Sequence, residues 1–254
     1  MKKFLLGAIA FVLLGGSALA ADLPAGAPAY NPPPAPAYSW TGFYIAAGGG
    51  YGMWTADTTT LDPVTGRCVL CIEQRQGGRG WFGTVGAGFD FQVSERIVLG
   101  VLADYDFGSL KGTIQDQLPF FAGEIKQTSA WAVGARLGWL VTPNLLSFVN
   151  GGYTQARFSD ARMVDTFTGT SFGFSTPAFT TSGYFLGGGV EYEVFRGWNW
   201  KNEYRLASYD SRTLRDCTAT AVCFDSITFE PTVQTIRSEL VYRFNTGGPL
   251  YAKY

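Results

Sequence analysis

Trp40-Thr41-Gly42-Phe43-Tyr44-Ile45-Ala46-Ala47-Gly48-Gly49-Gly50-Tyr51-Gly52-Met53-Trp54 alternates with period two. Phe43, Ile45, Ala47, Tyr51 and Met53 fall on one parity; Gly42, Ala46, Gly48, Gly50 and Gly52 fall on the other. Successive side chains of a strand point to opposite faces, so the stretch reads as a strand with one greasy face and one small-residue face. Trp40, Tyr44, Tyr51 and Trp54 crowd its two ends, where a membrane barrel carries its aromatic girdles. A core strand of a soluble sandwich or barrel would alternate in the same way. The remaining segments have to discriminate.

Seven more segments follow. Trp81, Val85, Ala87, Phe89 and Phe91 oppose Thr84, Gly86, Gly88, Asp90 and Gln92. Leu99, Val101, Ala103, Tyr105 and Phe107 oppose Gly100, Asp104 and Asp106. Trp131, Val133, Ala135, Leu137 and Trp139 oppose Ala132, Gly134, Arg136 and Gly138. The segment 145–158 is less regular and sets Val149 and Tyr153 against Asn150 and Thr154. Tyr184, Leu186, Val190 and Tyr192 oppose Gly187, Gly189, Glu191 and Glu193. Trp198, Trp200, Tyr204 and Leu206 oppose Lys201, Glu203 and Arg205, with Asn202 out of place on the apolar side. Ile236, Leu240, Tyr242 and Phe244 oppose Arg237, Glu239 and Arg243.

The connections alternate between short and long. Short ones lie at Val93–Arg96, Thr142-Pro143-Asn144 and Phe195–Gly197; long polar ones run over 109–127, 159–181 and 209–234. The ionisable residues of the segments sit on one parity: Asp90, Asp104, Asp106, Arg136, Glu191, Glu193, Lys201, Glu203, Arg205, Arg237, Glu239 and Arg243. A lipocalin-like soluble barrel would turn the apolar face inward instead. Aromatic residues at the strand ends favour the membrane version. The reading is an eight-stranded antiparallel transmembrane β-barrel over 40–254, with long extracellular loops and short periplasmic turns.

Composition agrees with one large domain. The chain has 254 residues, 46% hydrophobic and 16% aromatic, with 33 glycines and a net charge of −1. That balance points to no nucleic-acid partner. There is no histidine, which removes imidazole as base or metal ligand, and nothing implies a cofactor. Residues 1–20 read as a secretory signal: Lys2 and Lys3, an apolar run from Phe4 to Leu14, and Ala18-Leu19-Ala20 as cleavage site. Residues 21–39 hold half of the chain's 12 prolines and form an extended periplasmic spacer, of reach about 55 Å in polyproline II.

Several motifs carry less than they suggest. Gly169-Thr170-Ser171-Phe172-Gly173 fits G-x-S-x-G, but a nucleophile elbow needs a strand-to-helix turn and a histidine. The paired acids Asp104/Asp106 and Glu191/Glu193 fit charge pairing with Arg136, Arg205 and Arg237 across a narrow lumen better than acid–base chemistry. We therefore expect no enzymatic activity. Cys68, Cys71, Cys217 and Cys223 could form a four-thiolate zinc site, but an exported chain favours disulfides. Local pairs, Cys68 with Cys71 and Cys217 with Cys223, and cross-pairs between the first and last loops are both open.

Trp40-Thr41-Gly42-Phe43-Tyr44 follows an Ala21-Asp22-Leu23-Pro24 start and a proline-rich spacer. The chain ends in Val241-Tyr242-Arg243-Phe244-Asn245, Gly247-Gly248-Pro249 and Ala252-Lys253-Tyr254. In these features it resembles the small outer-membrane beta-barrel family of alphaproteobacteria, labelled porin-family or opacity-type surface proteins. It departs from the family at Thr246, commonly aromatic there, and in its loop cysteines. The resemblance implies an outer-membrane location in a Gram-negative envelope, with outer-membrane lipids as surroundings. The expected role is structural and surface-exposed, and the mixed signs of the inward charges in so narrow a barrel suit a lumen plugged by charged side chains. The porin label implies a small diffusion channel as alternative, and the loop phenylalanines 167, 172, 174 and 179 leave ligand or adhesin binding as a third. By resemblance, too, the amine of Ala21 is a point of attachment to peptidoglycan. Leu240, Tyr242 and Phe244, on the closing segment, are the signal that the barrel-assembly machinery reads. Phe244→Ala is therefore expected to lower the amount of inserted protein more than the stability of molecules already inserted. Membrane fractionation checks this, and normal levels of a Phe244→Asp protein would contradict it.

Overall fold

The computed structural model describes residues 38–245 apart from 63, 69–72, 116–120, 172 and 219–222. The signal segment, Ala21, nearly all of the spacer and Cys71 lie outside these residues. Among the described residues every regular element is a strand: β1 (Gly42–Leu61), β2 (Gln74–Gln92), β3 (Ile97–Gln115), β4 (Phe121–Thr142), β5 (Leu145–Phe158), β6 (Ala161–Asp165), β7 (Phe174–Thr176), β8 (Phe179–Phe195), β9 (Trp198–Tyr209), β10 (Arg212–Thr218) and β11 (Cys223–Asn245).

Eight of them close a ring. The antiparallel order β1-β2-β3-β4-β5-β8-β9-β11 returns to β1, where Gly42 pairs with Asn245 and Leu61 with Ser226. Closure leaves no free edge in this section, as lipid demands. The apolar parity faces out: Phe43, Ile45, Val85, Phe89, Leu99, Val133, Val149, Leu186 and Leu240 are all exposed. Such a continuous apolar exterior is stable only in hydrocarbon. Asn202 keeps its place on that face because the Ser238 hydroxyl donates to its carbonyl oxygen at 2.9 Å. The inward parity of β1 is glycine-rich because the wall curves tightly. A Cβ at Gly48 or Gly50 would press on the carbonyls of Ser238 and Ile236 in β11.

Two expectations fail. The stretches 109–127 and 209–234 are largely strand, not loop, and 159–181 carries β6, β7 and the start of β8. Beyond the membrane section β6, β7 and β10 replace β5, β8 and β9. The pairs β4–β6, β6–β7, β7–β10 and β10–β11 close a second ring with β1, β2 and β3. Its outer face meets water, so its alternation is reversed: Ile114, Ile125, Met163, Leu214, Ile227 and Phe229 point inward and are buried. Bulges at Phe107/Leu110 and Gln127/Ser129 lie where one regime gives way to the other. The second failure concerns the aromatics at the ends of β1. Trp40, Tyr44 and Trp54 are buried inside the barrel, and only Tyr51 faces out, edge-on to Trp81 with ring centroids 5.1 Å apart.

Two turns of this outer section share one design. Asp62-Pro63-Val64-Thr65-Gly66 and Asp165-Thr166-Phe167-Thr168-Gly169 each end on a glycine with φ near +65° to +68°. In each, the aspartate carboxylate accepts from two backbone N–H groups and a threonine hydroxyl, at 2.6–3.0 Å. Those bonds, led by the backbone N–H of Thr65 and of Thr168, hold both carboxyls below the usual range. The turns gain from them at neutral pH and lose them as pH falls through the lowered values.

The outer ring is filled by Trp54, Phe158, Phe179 and Phe229. Phe158 stacks on Phe179 at 5.2 Å and meets Phe229 and Trp54 edge-on. Phe158→Ala should cost about 3–5 kcal/mol, read as a lower urea midpoint in lipid vesicles with the denaturant slope unchanged.

Candidate functional site

The inward face of the membrane section is a column of charges between two buried apolar clusters. At the end carrying the tight turns, Trp40 lies across the lumen on Val98, Leu140 and Leu146. Its indole N–H donates to the Pro143 carbonyl at 3.0 Å, and Gln92 accepts from its backbone N–H at 3.2 Å. The aromatic core of the outer ring lies toward the other end.

The first charge layer lies directly above Trp40. Arg136 bonds Asp90 and donates to Glu191 at 2.8 Å; Arg243 reaches Asp90 and Glu191 at 2.7 Å each. Two cations and two anions thus close a neutral square. Asn199 donates to Glu191 at 2.8 Å and accepts from the Tyr38 hydroxyl at 3.0 Å. In the second layer Arg205 grips both oxygens of Asp104, at 2.9 and 2.8 Å, and donates to Glu203 at 2.7 Å. Arg237 links Asp104 at 3.3 Å to Asp106 at 2.8 Å. Lys201 bonds Glu239 and sits 4.0 Å from Glu203. Glu193 is half-buried at the rim and joins no ion pair among the described residues.

Aromatic rings complete the packing. Arg205 lies 4.2 Å over Phe185, Arg237 5.5 Å over Phe82, Arg136 5.1 Å over Tyr44 and Phe148, and Arg243 4.7 Å over Trp40. Reading by residue type missed these rings. Phe82, Phe148 and Phe185 share parity with Thr84, Asn150 and Gly187, and that parity was the available signal. A cavity of about 20 Å³ lies among Asp104, Thr154, Arg205, Thr235 and Arg237, room for one water.

The remaining predicted residues lie elsewhere. Leu240, Tyr242 and Phe244 face out on β11, and Phe244 packs against Phe43 of β1 at 5.8 Å. Cys217 and Cys223 are register partners of β10 and β11. Cys68 is bridged by its backbone to Leu61 and is not a free thiol. Ser171 lies in irregular chain next to β7, with no strand-to-helix turn. Among the described residues no cluster of His, Cys, Asp or Glu suits a metal.

These features place the chain among known proteins. The family model for the outer membrane protein beta-barrel domain matches residues 8–244. The 31 kDa outer-membrane immunogenic proteins of Brucella melitensis and Brucella suis are each 29% identical over 251 residues, spanning 96% of this chain and 100% of theirs. The outer membrane protein OprG of Pseudomonas aeruginosa has the same fold, with a TM-score of 0.51 at 12% identity, over 80% of this chain and 97% of that one.

Within the column, removing one member of an ion pair should cost more than removing both. Lys201→Met leaves Glu239 buried without its cation and should lower the unfolding free energy by about 3–5 kcal/mol. Adding Glu239→Leu should recover most of that loss. Urea unfolding of the single and double variants in lipid vesicles measures both, and a double variant no better than the single one contradicts the pairing.

Proposed function

The chain belongs to the outer membrane protein beta-barrel domain family, and from that premise we propose that it is a structural, surface-exposed component of the envelope rather than a diffusion channel. One observation carries the reading. Three inward groups support it: the cluster around Trp40, the two layers of paired charges and the aromatic core of the outer ring. A hydrated solute passing through would have to displace side chains that neutralise one another, and buried charges stripped of partners are costly.

The protein on this reading is not an enzyme. Its buried inward carboxylates are engaged by arginine and lysine, Glu193 at the rim excepted, and no imidazole is present to serve as base. Its exposed part is the outer ring with its turns. Cys217 and Cys223, register partners of β10 and β11, support a local disulfide between these two strands.

Proteoliposomes containing the refolded chain should take up small sugars no faster than empty vesicles, and planar bilayers should show no steady conductance. Uptake well above that of empty vesicles would favour the channel.

A further inference from the structure

On the outer face, just beyond the aromatic belt, Arg79, Lys111 and Lys126 stand side by side on β2, β3 and β4. Arg79 is the register partner of Lys111, and Lys111 of Lys126. Arg79 and Lys111 are exposed and Lys126 is half-buried. Like charges directly opposite one another on a sheet repel. Four residues further along β2 the wall does the reverse: Arg75 faces Asp57 of β1 and pairs with it at 3.2 Å. Across β1, Arg79 meets Met53 instead. Among the described residues neither Arg79 nor Lys111 has an ion-pair partner. Glu124 takes one donor of Lys126 at 2.8 Å and leaves two. Three cations in register, with one carboxylate between them, form a site for an anion the protein does not supply.

The depth of the row identifies that anion. Trp81, 75% exposed, stands two residues nearer the membrane than Arg79, about 7 Å along the strand. Exposed indole rings of membrane barrels lie at headgroup level, so the row lies where lipid phosphates lie. Below it Val85, Ala87, Ala103, Tyr105, Trp131 and Val133 border an open furrow of about 390 Å³. The furrow exists because two alanines, Ala87 and Ala103, are register partners between larger neighbours. Six residues separate Lys111 from Tyr105 at its upper edge, about 20 Å along the strand, the span of an extended acyl chain.

We propose that the outer face of β2–β4 docks a phosphate-bearing glycolipid of the outer leaflet, its phosphate held by Arg79, Lys111 and Lys126 and the far end of an acyl chain seated in the Ala87/Ala103 furrow. Each cation near an anionic lipid surface contributes about fivefold to affinity, so the three together supply roughly a hundredfold. The test uses the refolded chain in zwitterionic micelles, with bound lipid counted by native mass spectrometry. The probes are bisphosphorylated lipid A and the same lipid with its phosphates removed. The phosphorylated lipid should bind roughly a hundredfold more tightly, and R79Q/K111Q/K126Q should abolish that preference. R212Q/R215Q, on β10, should leave it intact. A87L/A103L should weaken both lipids while preserving their ratio. Equal affinity of the unmodified chain for the two lipids overturns the proposal without recourse to any variant. So does an equal loss in R212Q/R215Q, and tight binding by A87L/A103L overturns the acyl assignment.

Discussion

Eight strands enclose a space that side chains alone must fill. Everything inside this barrel follows from that limit. The wall curves so tightly that β1 tolerates only hydrogen at Gly48 and Gly50, where a Cβ would meet the opposite strand. The remaining volume goes to long side chains that reach the axis: four arginines and a lysine against six carboxylates, all buried or nearly so. Charges so placed are out of water. Each is therefore held by a counter-charge and all four arginines also by a ring, so the column stands only as a set.

The solvent outside the wall decides what the inside can be. In hydrocarbon the outward parity must be apolar, which leaves the inward parity for charge. Above the membrane the outward parity meets water and becomes polar. The inward parity then holds Ile114, Ile125, Ile227 and Phe229, as in an ordinary core. One continuous wall thus runs from one regime into the other, with bulges in β3 and β4 near the boundary. The strands that replace β5, β8 and β9 are short, because without lipid around them they need bury only a few apolar residues each.

This reversal explains what could be read from the sequence. The eight membrane segments and the inward parity of the charges were legible, because lipid and lumen impose opposite preferences on alternate residues. The outer strands were not. Stretches such as 109–127 look polar when searched for an apolar outer face. Yet Leu110, Ile114 and Ile125 already carry the alternate pattern of a strand facing inward. Trp40, Tyr44 and Trp54 were misread for a related reason: an aromatic ring at a strand end suits both a girdle and a plug. Their even numbers, shared with Gly48 and Gly50, place them inside. Register is a different matter. That Arg136 meets Asp90, or that Lys111 stands between Arg79 and Lys126, depends on how separate segments pair, and no single segment records it.

Alternation also divides the labour of the wall. A residue of a membrane strand belongs either to the lumen or to the outer face, never to both. Since the inward charges neutralise one another, substitutions there act on the whole column through shared partners such as Asp104, which holds both Arg205 and Arg237. The outer face has no such coupling. Its residues meet lipid or water one at a time, and a change at Lys111 leaves Leu110, buried beside it, in place. The chemistry by which such a barrel can deal with its surroundings is therefore confined to the outward parity and to the turns above it, while the inward parity keeps the wall closed.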